Sequence, residues 1–466
     1  MPDDSEPIAR IEDYEPGARA RGASTGSSNG HDASEFTEDA LASQFTARHE
    51  HELRYVVPWG AWLRWDGTRW NFEKTHLAFD LARQVAREAY ADCGKLRVAS
   101  AAAVAAIEKL ARADRRHAAT VEQWDVDPWL LNTPGGIVDL RTGNMLPHDP
   151  KRYMTKITAV APDGDCPLWL TFLDRITAGD TEVQQFLHRA LGYALTGSVR
   201  EHALFFAFGH GANGKGVCFN TVTKILADYA AVAPMETFIA TQGERHPTDL
   251  AGLRGARLVT AQETERGRRW AESKVKALTG GDPITARFMR QDFFTFEPNF
   301  KLVIAGNHKP GLSGVDEAIR RRFYLIPFTV TIPEAERDKE LSDKLRAEWP
   351  GILQWMIEGC LAWQRGGLLP PAAVRDATTI YLDEEDALGR WIDDRCIPGK
   401  TFWCSTGHLW QSWKGWAEVN NEPPGSNKSF GIALDERGFE ASRNQGMRGR
   451  NGISLRASAR YDPSAS

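Results

Sequence analysis

Leu204-Phe205-Phe206-Ala207-Phe208 runs directly into Gly209-His210-Gly211-Ala212-Asn213-Gly214-Lys215-Gly216, and that into Val217-Cys218-Phe219-Asn220-Thr221-Val222-Thr223-Lys224-Ile225-Leu226. The apolar run predicts a buried strand, and the last segment has helical periodicity. Strand, glycine-rich turn and helix form the context of a phosphate-binding loop. Glycines let backbone N–H groups converge on phosphate oxygens, and the helix N-terminus adds its positive end. Gly209, Gly211, Ala212, Asn213, Gly214, Lys215, Gly216 and Val217 are therefore the candidate ATP-binding residues, with Lys215 reaching the β- and γ-phosphates. One position departs from the pattern: the Ser or Thr that usually follows the lysine and binds Mg²⁺ is Gly216.

Composition narrows the field. A length of 466 residues predicts about three folding units. The formal net charge of −5 provides no global basic field, so a nucleic-acid site has to be a local patch. No apolar run is long enough to span a membrane, and Met1-Pro2-Asp3-Asp4-Ser5-Glu6 lacks the features of a signal peptide. The 6 cysteines are scattered without a C-x-x-C pair, which fits reduced thiols in a cytoplasm. Cys396, Cys404 and His408 lie close in sequence but fall short of the four ligands of a structural zinc site.

Residues 1–45 are rich in Gly, Ser and charged residues and read as a disordered tail. Residues 46–165 read as an α+β domain: a hairpin around Trp65-Asp66-Gly67-Thr68-Arg69-Trp70, helices over 75–118, then short strands over 129–145. Its tryptophans could stack on bases, with core packing expected for most of them. A helical collar over 166–200 carries the apolar stripe Val183, Phe186, Leu187, Ala190, Leu191, Ala194 and Leu195. The ATPase core is expected over 201–335, an α/β fold. A helical segment follows over 336–394, interrupted at Pro370-Pro371, with one helix near 377–394. Residues 395–457 read as a winged helix: a helix marked by Leu409, Trp410, Trp413 and Trp416, a second from Lys428 capped by Ser426 and stopped at Gly438, then a hairpin. Its tip carries Arg443, Arg448 and Arg450, which with Lys428 are candidate DNA contacts. Residues 458–466 read as a second tail.

An ATPase also needs an acid at the end of a neighbouring strand. Arg257-Leu258-Val259-Thr260-Ala261-Gln262-Glu263-Thr264-Glu265 supplies a short apolar strand and two glutamates. Glu263 would polarise the attacking water and help hold Mg²⁺, with Glu265 as a second candidate. A third strand, Lys301-Leu302-Val303-Ile304-Ala305, leads to Asn307, whose amide could orient the water or sense the γ-phosphate. Arg321 and Arg322, in a run of three arginines, are candidates for an arginine finger across a ring interface. Between the second and third strands, Ile284 to Phe296 alternate as a hairpin tipped near Met289-Arg290-Gln291-Asp292. Residues 254–290 hold 9 Lys/Arg against 4 Asp/Glu. Lys276, Arg287 and Arg290 are therefore candidate contacts to a nucleic-acid backbone.

The order of these motifs resembles the superfamily-three helicases, specifically the helicase part of the phage/plasmid primase family. The motifs are Gly211-Ala212-Asn213-Gly214-Lys215, Arg257 to Glu265, Leu278 to Arg287, Ala305-Gly306-Asn307, and Arg321-Arg322 before Ile326-Pro327-Phe328. The resemblance extends through Trp65 to Trp70 and Val138 to Gly143 upstream, and to the winged helix downstream, covering most of 50–457. It implies an AAA+-type ATPase in a hexameric ring that translocates on DNA and unwinds a replication fork, in the cytoplasm of a bacterial host. Larger relatives carry an N-terminal primase-polymerase domain. About 45 residues precede the shared region here, so no primer synthesis is expected, and a primase would be a separate partner. Gly at position 216 also occurs in that family, and Mg²⁺ would then be held by phosphates, water and the glutamates. A DNA-binding replication initiator or scaffold with weak or no ATPase is the alternative, and a ring ATPase that remodels proteins is a second.

Overall fold

A computed structural model of the chain describes residues 35–241, 248–262, 267–289, 292–312 and 314–456. Two compact units are present. The first gathers residues up to Glu50 with Lys74–Ala118. Its helices are α1 (Glu38–His49), α2 (Leu77–Cys93) and α3 (Ala101–Ala113). Helix α1 starts inside the stretch expected to be disordered and crosses the boundary expected at 45. Thr37 caps it by accepting from the Ala40 N–H, and Leu41 and Phe45 bury one face at helical spacing. Ala82, Val85, Ala86 and Ala89 of α2, and Val104, Ile107 and Ala111 of α3, supply the facing stripes. The expected 46–165 domain is thus divided between the two units.

The second unit holds His51–Glu73 and everything from Ala119. An antiparallel sheet of β1 (Leu53–Val56), β2 (Ala61–Trp65) and β3 (Trp70–Phe72) turns at Asp66-Gly67, where the Asp66 carboxylate accepts from the N–H groups of Thr68 at 2.7 Å and Arg69 at 2.8 Å. Trp70 and Trp124 are buried beneath it, as core tryptophans should be. Strands β4 (Leu130–Thr133), β5 (Gly136–Asp139) and β6 (Asn144–Leu146) form a second small sheet. Helices α4 (Pro167–Ile176) and α5 (Thr181–Tyr193) follow, and the predicted stripe on α5 is buried.

The centre of this unit is a five-stranded parallel sheet. In chain order the segment runs β7 (Leu204–Phe208), α6 (Lys215–Leu226), β8 (Ala230–Val232), α7 (Thr248–Ala251), β9 (Leu258–Gln262) and α8 (Glu272–Gly280). The hairpin β10 (Ile284–Ala286) and β11 (Phe294–Phe296) comes next, then β12 (Lys301–Gly306), α9 (Glu317–Arg320) and β13 (Phe323–Pro327). The spatial order is β13-β7-β12-β9-β8, all parallel. Strands β7 and β12 are buried almost throughout because helices cover both faces. Phe205, Ala207, Val303 and Ala305 meet Cys218, Phe219 and Val222 of α6 on one face. Leu204, Phe206, Leu302 and Ile304 meet Trp270, Leu278 and Ile319 on the other.

Helices α10 (Leu341–Ala347), α11 (Trp349–Gly366), α12 (Ala372–Glu385) and α13 (Ala387–Arg395) follow. The single helix expected near 377–394 is two, because Asp386 leaves helical geometry and caps α13 by accepting from the Gly389 N–H at 2.8 Å. The last region has β14 (Cys396–Ser405), α14 (Thr406–Val419), α15 (Asn427–Glu436), β15 (Ala441–Asn444) and β16 (Met447–Leu455), with sheet order β14-β16-β15. Trp391, Trp413, Trp416, Phe430 and Ile453 form its core.

Two buried cations pin the amino ends of the sheet. Arg257 donates to the carbonyls of Leu195 and Leu130, both at 2.7 Å, and lies over the Tyr229 ring. Lys301 donates to the Thr196 carbonyl and, at 3.2 Å, to that of Ser198. Burial lowers the pKa of both groups. Arg257→Ala strands two buried carbonyls and should destabilise the protein by about 2–3 kcal/mol. The exposed Arg365→Ala should stay within about 0.5 kcal/mol. Urea midpoints of the two variants against the parent check this.

Candidate functional site

Parallel strands carry their ligand crevices at the carboxyl edge, where successive connections leave on opposite faces. Here β7 and β12 are neighbours, paired Gly306 to Phe208 and Ala305 to Ala207. The chain leaves β7 into α6 on one face and leaves β12 toward α9 on the other. Residues 209–214 and Asn307 therefore emerge side by side. Pro327 of β13 pairs with Phe208, and Gln262 of β9 with Ala305, so four strands end level with one another.

The loop after β7 is held from outside. Phe328 N–H donates to the Phe208 carbonyl at 2.7 Å, and Ile332 N–H to the Ala212 carbonyl at 2.8 Å. The buried Asn213 amide donates to the Phe328 carbonyl at 3.2 Å, and its oxygen accepts from the Lys215 N–H at 3.4 Å. A Cβ at Gly209 would lie 2.0 Å from the Phe328 carbonyl oxygen, so the bracing strand fits only glycine there. Gly214 caps α6 at φ +84°, and a Cβ on it would meet Ile176 at 2.4 Å. The N-cap Gly214 has no side chain to cap α6, which leaves the first-turn amides beyond Lys215 for a ligand. The surroundings of Gly211 and Gly216 are open. Val217 packs against the core instead of facing the loop.

Lys215 is buried, and its ammonium donates to the carbonyls of Gly209 at 2.6 Å and His210 at 3.4 Å and to the Asn307 Oδ1 at 3.3 Å. Burial pushes its pKa down to about 8. Lys215 and Asn307, 92 residues apart in sequence, thus meet at one point of the sheet edge. Glu263 and Glu265 lie outside the described residues. Among the described residues, no group of three His, Cys, Asp or Glu side chains is placed to hold a metal.

The three arginines separate. Arg320 pairs with Asp383 at 3.2 Å and Asp386 at 3.5 Å. Arg322 is buried, donating to the Thr279 hydroxyl at 3.1 Å and the Ala318 carbonyl at 2.8 Å, and its pKa is lowered by burial and by Arg321. Its side chain is built into the fold, which corrects the expectation that it shares the finger role. Arg321 is exposed. The Arg322 carbonyl accepts from the Leu204 N–H at the amino end of β7. Arg321 and Arg322 therefore lie about a strand length, roughly 15 Å, from the loop, and one chain does not bring them to Lys215.

The candidate nucleic-acid residues also divide. The β10–β11 hairpin forms in the expected register, Ile284 to Phe296 and Ala286 to Phe294. Arg287 lies over the Phe293 ring at 4.6 Å. Arg290 lies outside the described residues. Lys276 is paired with Asp316. In the C-terminal hairpin, Arg443 and Arg448 are exposed and stand directly opposite each other. Like charges in that position repel unless an anion bridges them. Arg450 corrects the expectation of a three-arginine tip: it is buried, paired with Asp435, and donates to the carbonyls of Gly431 at 2.9 Å and Phe439 at 3.1 Å. It ties β16 to α15. Lys428 is exposed at the start of α15. The sequence also hid the role of Phe328, whose carbonyl braces the loop; its only signal was its place after the strand ending at Pro327.

Comparison with known proteins follows this layout. Residues 42–178 match the family described as "D5 N terminal like", and residues 207–322 match a "Family of unknown function (DUF5906)". "Putative helicase L207/L206" of Acanthamoeba polyphaga mimivirus is 24% identical over 325 residues, 64% of this chain and 34% of that protein. "Putative helicase 022R" of Frog virus 3 (isolate Goorha) is 25% identical over 267 residues, 52% of this chain and 27% of that protein. The chain thus spans about a third or less of these relatives. An apo structure of the NrS-1 C-terminal region superposes at a TM-score of 0.47 with 11% identity, covering 88% of this chain and 98% of that one. Among the described residues no helix is long and apolar enough to cross a membrane. The matched segments and the viral relatives make this chain similar to the phage primase/helicase family.

Proposed function

We propose that this chain is the subunit of an ATP-driven replication helicase, a P-loop AAA+-type motor that works as a hexameric ring on DNA. The observation that carries the reading is the meeting of Lys215 and Asn307 at the shared carboxyl edge of β7 and β12. A basic amine, an uncapped helix N-terminus and a glycine loop with two sites closed to any side chain suit the phosphates of ATP. Lys215 exchanges its carbonyl partners for phosphate oxygens, and Asn307, released from it, faces the γ-phosphate. Glu263, following Gln262 of the neighbouring strand, is the proposed base that orients water, with Glu265 as its substitute. Bound Mg²⁺ neutralises charge on the phosphate oxygens; Gly216 offers it no hydroxyl, so Glu263 is the side chain proposed to hold it. Arg321 acts on the site of the adjacent subunit, because its own site is a strand length away.

DNA would be held at two places. Arg287 and Arg290 act from the β10–β11 hairpin inside the motor. Lys428, Arg443 and Arg448 act from the C-terminal region, whose helices and hairpin suit a winged helix. The setting would be the cytoplasm of a bacterial host. Gly216 also favours the second reading, a DNA-binding initiator or scaffold with weak ATPase. Turnover by the parent at no more than the rate of Lys215→Ala would establish that second reading.

Nucleotide affinity should depend on Lys215 in a pH-specific way. A lysine whose pKa is lowered is charged below that pKa and loses its charge above it. With a free-state pKa of about 8, affinity should be constant below pH 7 and fall by up to about tenfold per pH unit above 8. Titration of a fluorescent ATP analogue checks this, and Lys215→Ala should bind weakly with no such slope.

The arginines should fail differently. Arg321→Ala should lower ATP turnover by about 10³-fold at an unchanged melting temperature. Arg322→Ala should instead lower the melting temperature, since it vacates the Thr279 and Ala318 contacts. Turnover and melting curves on both variants decide.

For DNA, the double variant Arg443→Ala, Arg448→Ala should weaken duplex binding and reduce the slope of log affinity against log salt by about 1.8. Arg450→Ala should mainly destabilise the C-terminal region, because it breaks the tie to Asp435. Anisotropy titrations at several salt concentrations, with melting curves, check both.

A further inference from the structure

The hairpin inside the motor does not stand alone. Phe72, at the end of β3, packs its ring against Trp59 with centroids 5.2 Å apart. The Arg254 guanidinium lies 5.9 Å from the Trp59 ring and 5.2 Å from the Phe294 ring. Phe294 stacks on Phe288 at 5.8 Å and 28°. These groups form a continuous ladder of rings and a guanidinium, running from the β1–β3 sheet onto the β10–β11 hairpin. Phe72, Phe288 and the neighbouring Phe293 are exposed, as is the Arg254 side chain.

Aromatic rings left in water side by side need an occupant. The chemistry of the ladder selects among them. Its rings offer flat faces, and Arg254 offers a cation between them. Asp125 and Glu122 act on the Arg254 charge. Arg287, over the Phe293 ring, adds a second cation at the hairpin. Flat faces on either side of a cation suit bases on either side of a phosphate, and base stacking does not depend on sequence.

We propose that the Phe72–Trp59–Arg254–Phe294–Phe288 ladder is a stacking platform for single-stranded DNA, extending the path of the strand from the motor hairpin onto the β1–β3 sheet. This rests on the DNA-motor reading. The platform holds bases by their faces while Arg254 holds a phosphate between them. The small N-terminal sheet then grips the strand at the point where the hairpin delivers or receives it.

The test uses the full chain and fluorescence anisotropy with two labelled probes, an oligo(dT) and an abasic strand of the same length. Phe72→Ala should weaken oligo(dT) binding on the order of tenfold and leave the abasic strand within about twofold, since only bases stack. Phe72→Tyr, which keeps the ring, should bind like the parent. Arg254→Ala should weaken both probes, because it removes a phosphate contact. Unchanged oligo(dT) affinity in Phe72→Ala and Arg254→Ala overturns the platform while leaving the motor reading in place. So does an equal loss for both probes in Phe72→Ala. A change in subunit assembly by light scattering, with DNA affinity unchanged, also overturns it and makes the ladder a contact between copies. A parent protein that binds neither probe overturns both the platform and the DNA reading.

Discussion

Four parallel strands ending at one level is the constraint on which the site depends. The register that pairs Gly306 with Phe208, Pro327 with Phe208 and Gln262 with Ala305 brings their following residues to one edge. It lets the Phe328 carbonyl close on Gly209 and accept from Asn213. It also sets Asn307 within 3.3 Å of the Lys215 ammonium. A one-residue slip of β12 would turn Leu302 and Ile304 to the wrong face and move Asn307 off the edge together. The buried cations Arg257 and Lys301 hold the opposite end by donating to carbonyls of the preceding elements. Pinning one end of the sheet fixes the height at which the other end finishes.

The same sheet separates two kinds of basic residue. Arginine is costly to bury without partners, so a buried arginine held by carbonyl or carboxylate acceptors reads as structure. Arg257, Arg322 and Arg450 are of this kind. Arg321, Arg443 and Arg448 are exposed, and the last two face one another across a hairpin. Arg320 is intermediate: together with Arg437 it meets the buried Asp386, the residue that divides α12 from α13. The segment bearing Arg321 is thereby tied to the start of α13, the helix that leads into β14.

The strand, loop and helix at 204–226 were legible because three local signals agree: an apolar run, glycines and helical periodicity. The hairpins were legible for the same reason, since Asp66-Gly67 and the alternation around Phe294 are local. What the sequence hid is what depends on tertiary contact. Strand β8 has only three residues and is set by its parallel pairing with β9. Strand β14 is largely exposed and shows no alternation. Helix α1 lies in a stretch whose composition resembles that of the residues before it, and only Thr37, Leu41 and Phe45 mark it. Arg322 and Arg450 look like their exposed neighbours because burial of a charge is decided by distant carbonyls and by Asp435.

The central claim is that a site at the β7–β12 edge of one subunit is completed by Arg321 of the next. The most direct measurement is ATP turnover in mixtures of Lys215→Ala and Arg321→Ala subunits. Each variant alone lacks one half of every site. A mixture contains interfaces where an intact Lys215 from one variant meets an intact Arg321 from the other, so activity should reappear and be greatest near equal amounts. A mixture as inactive at every ratio as either variant alone would contradict the shared site.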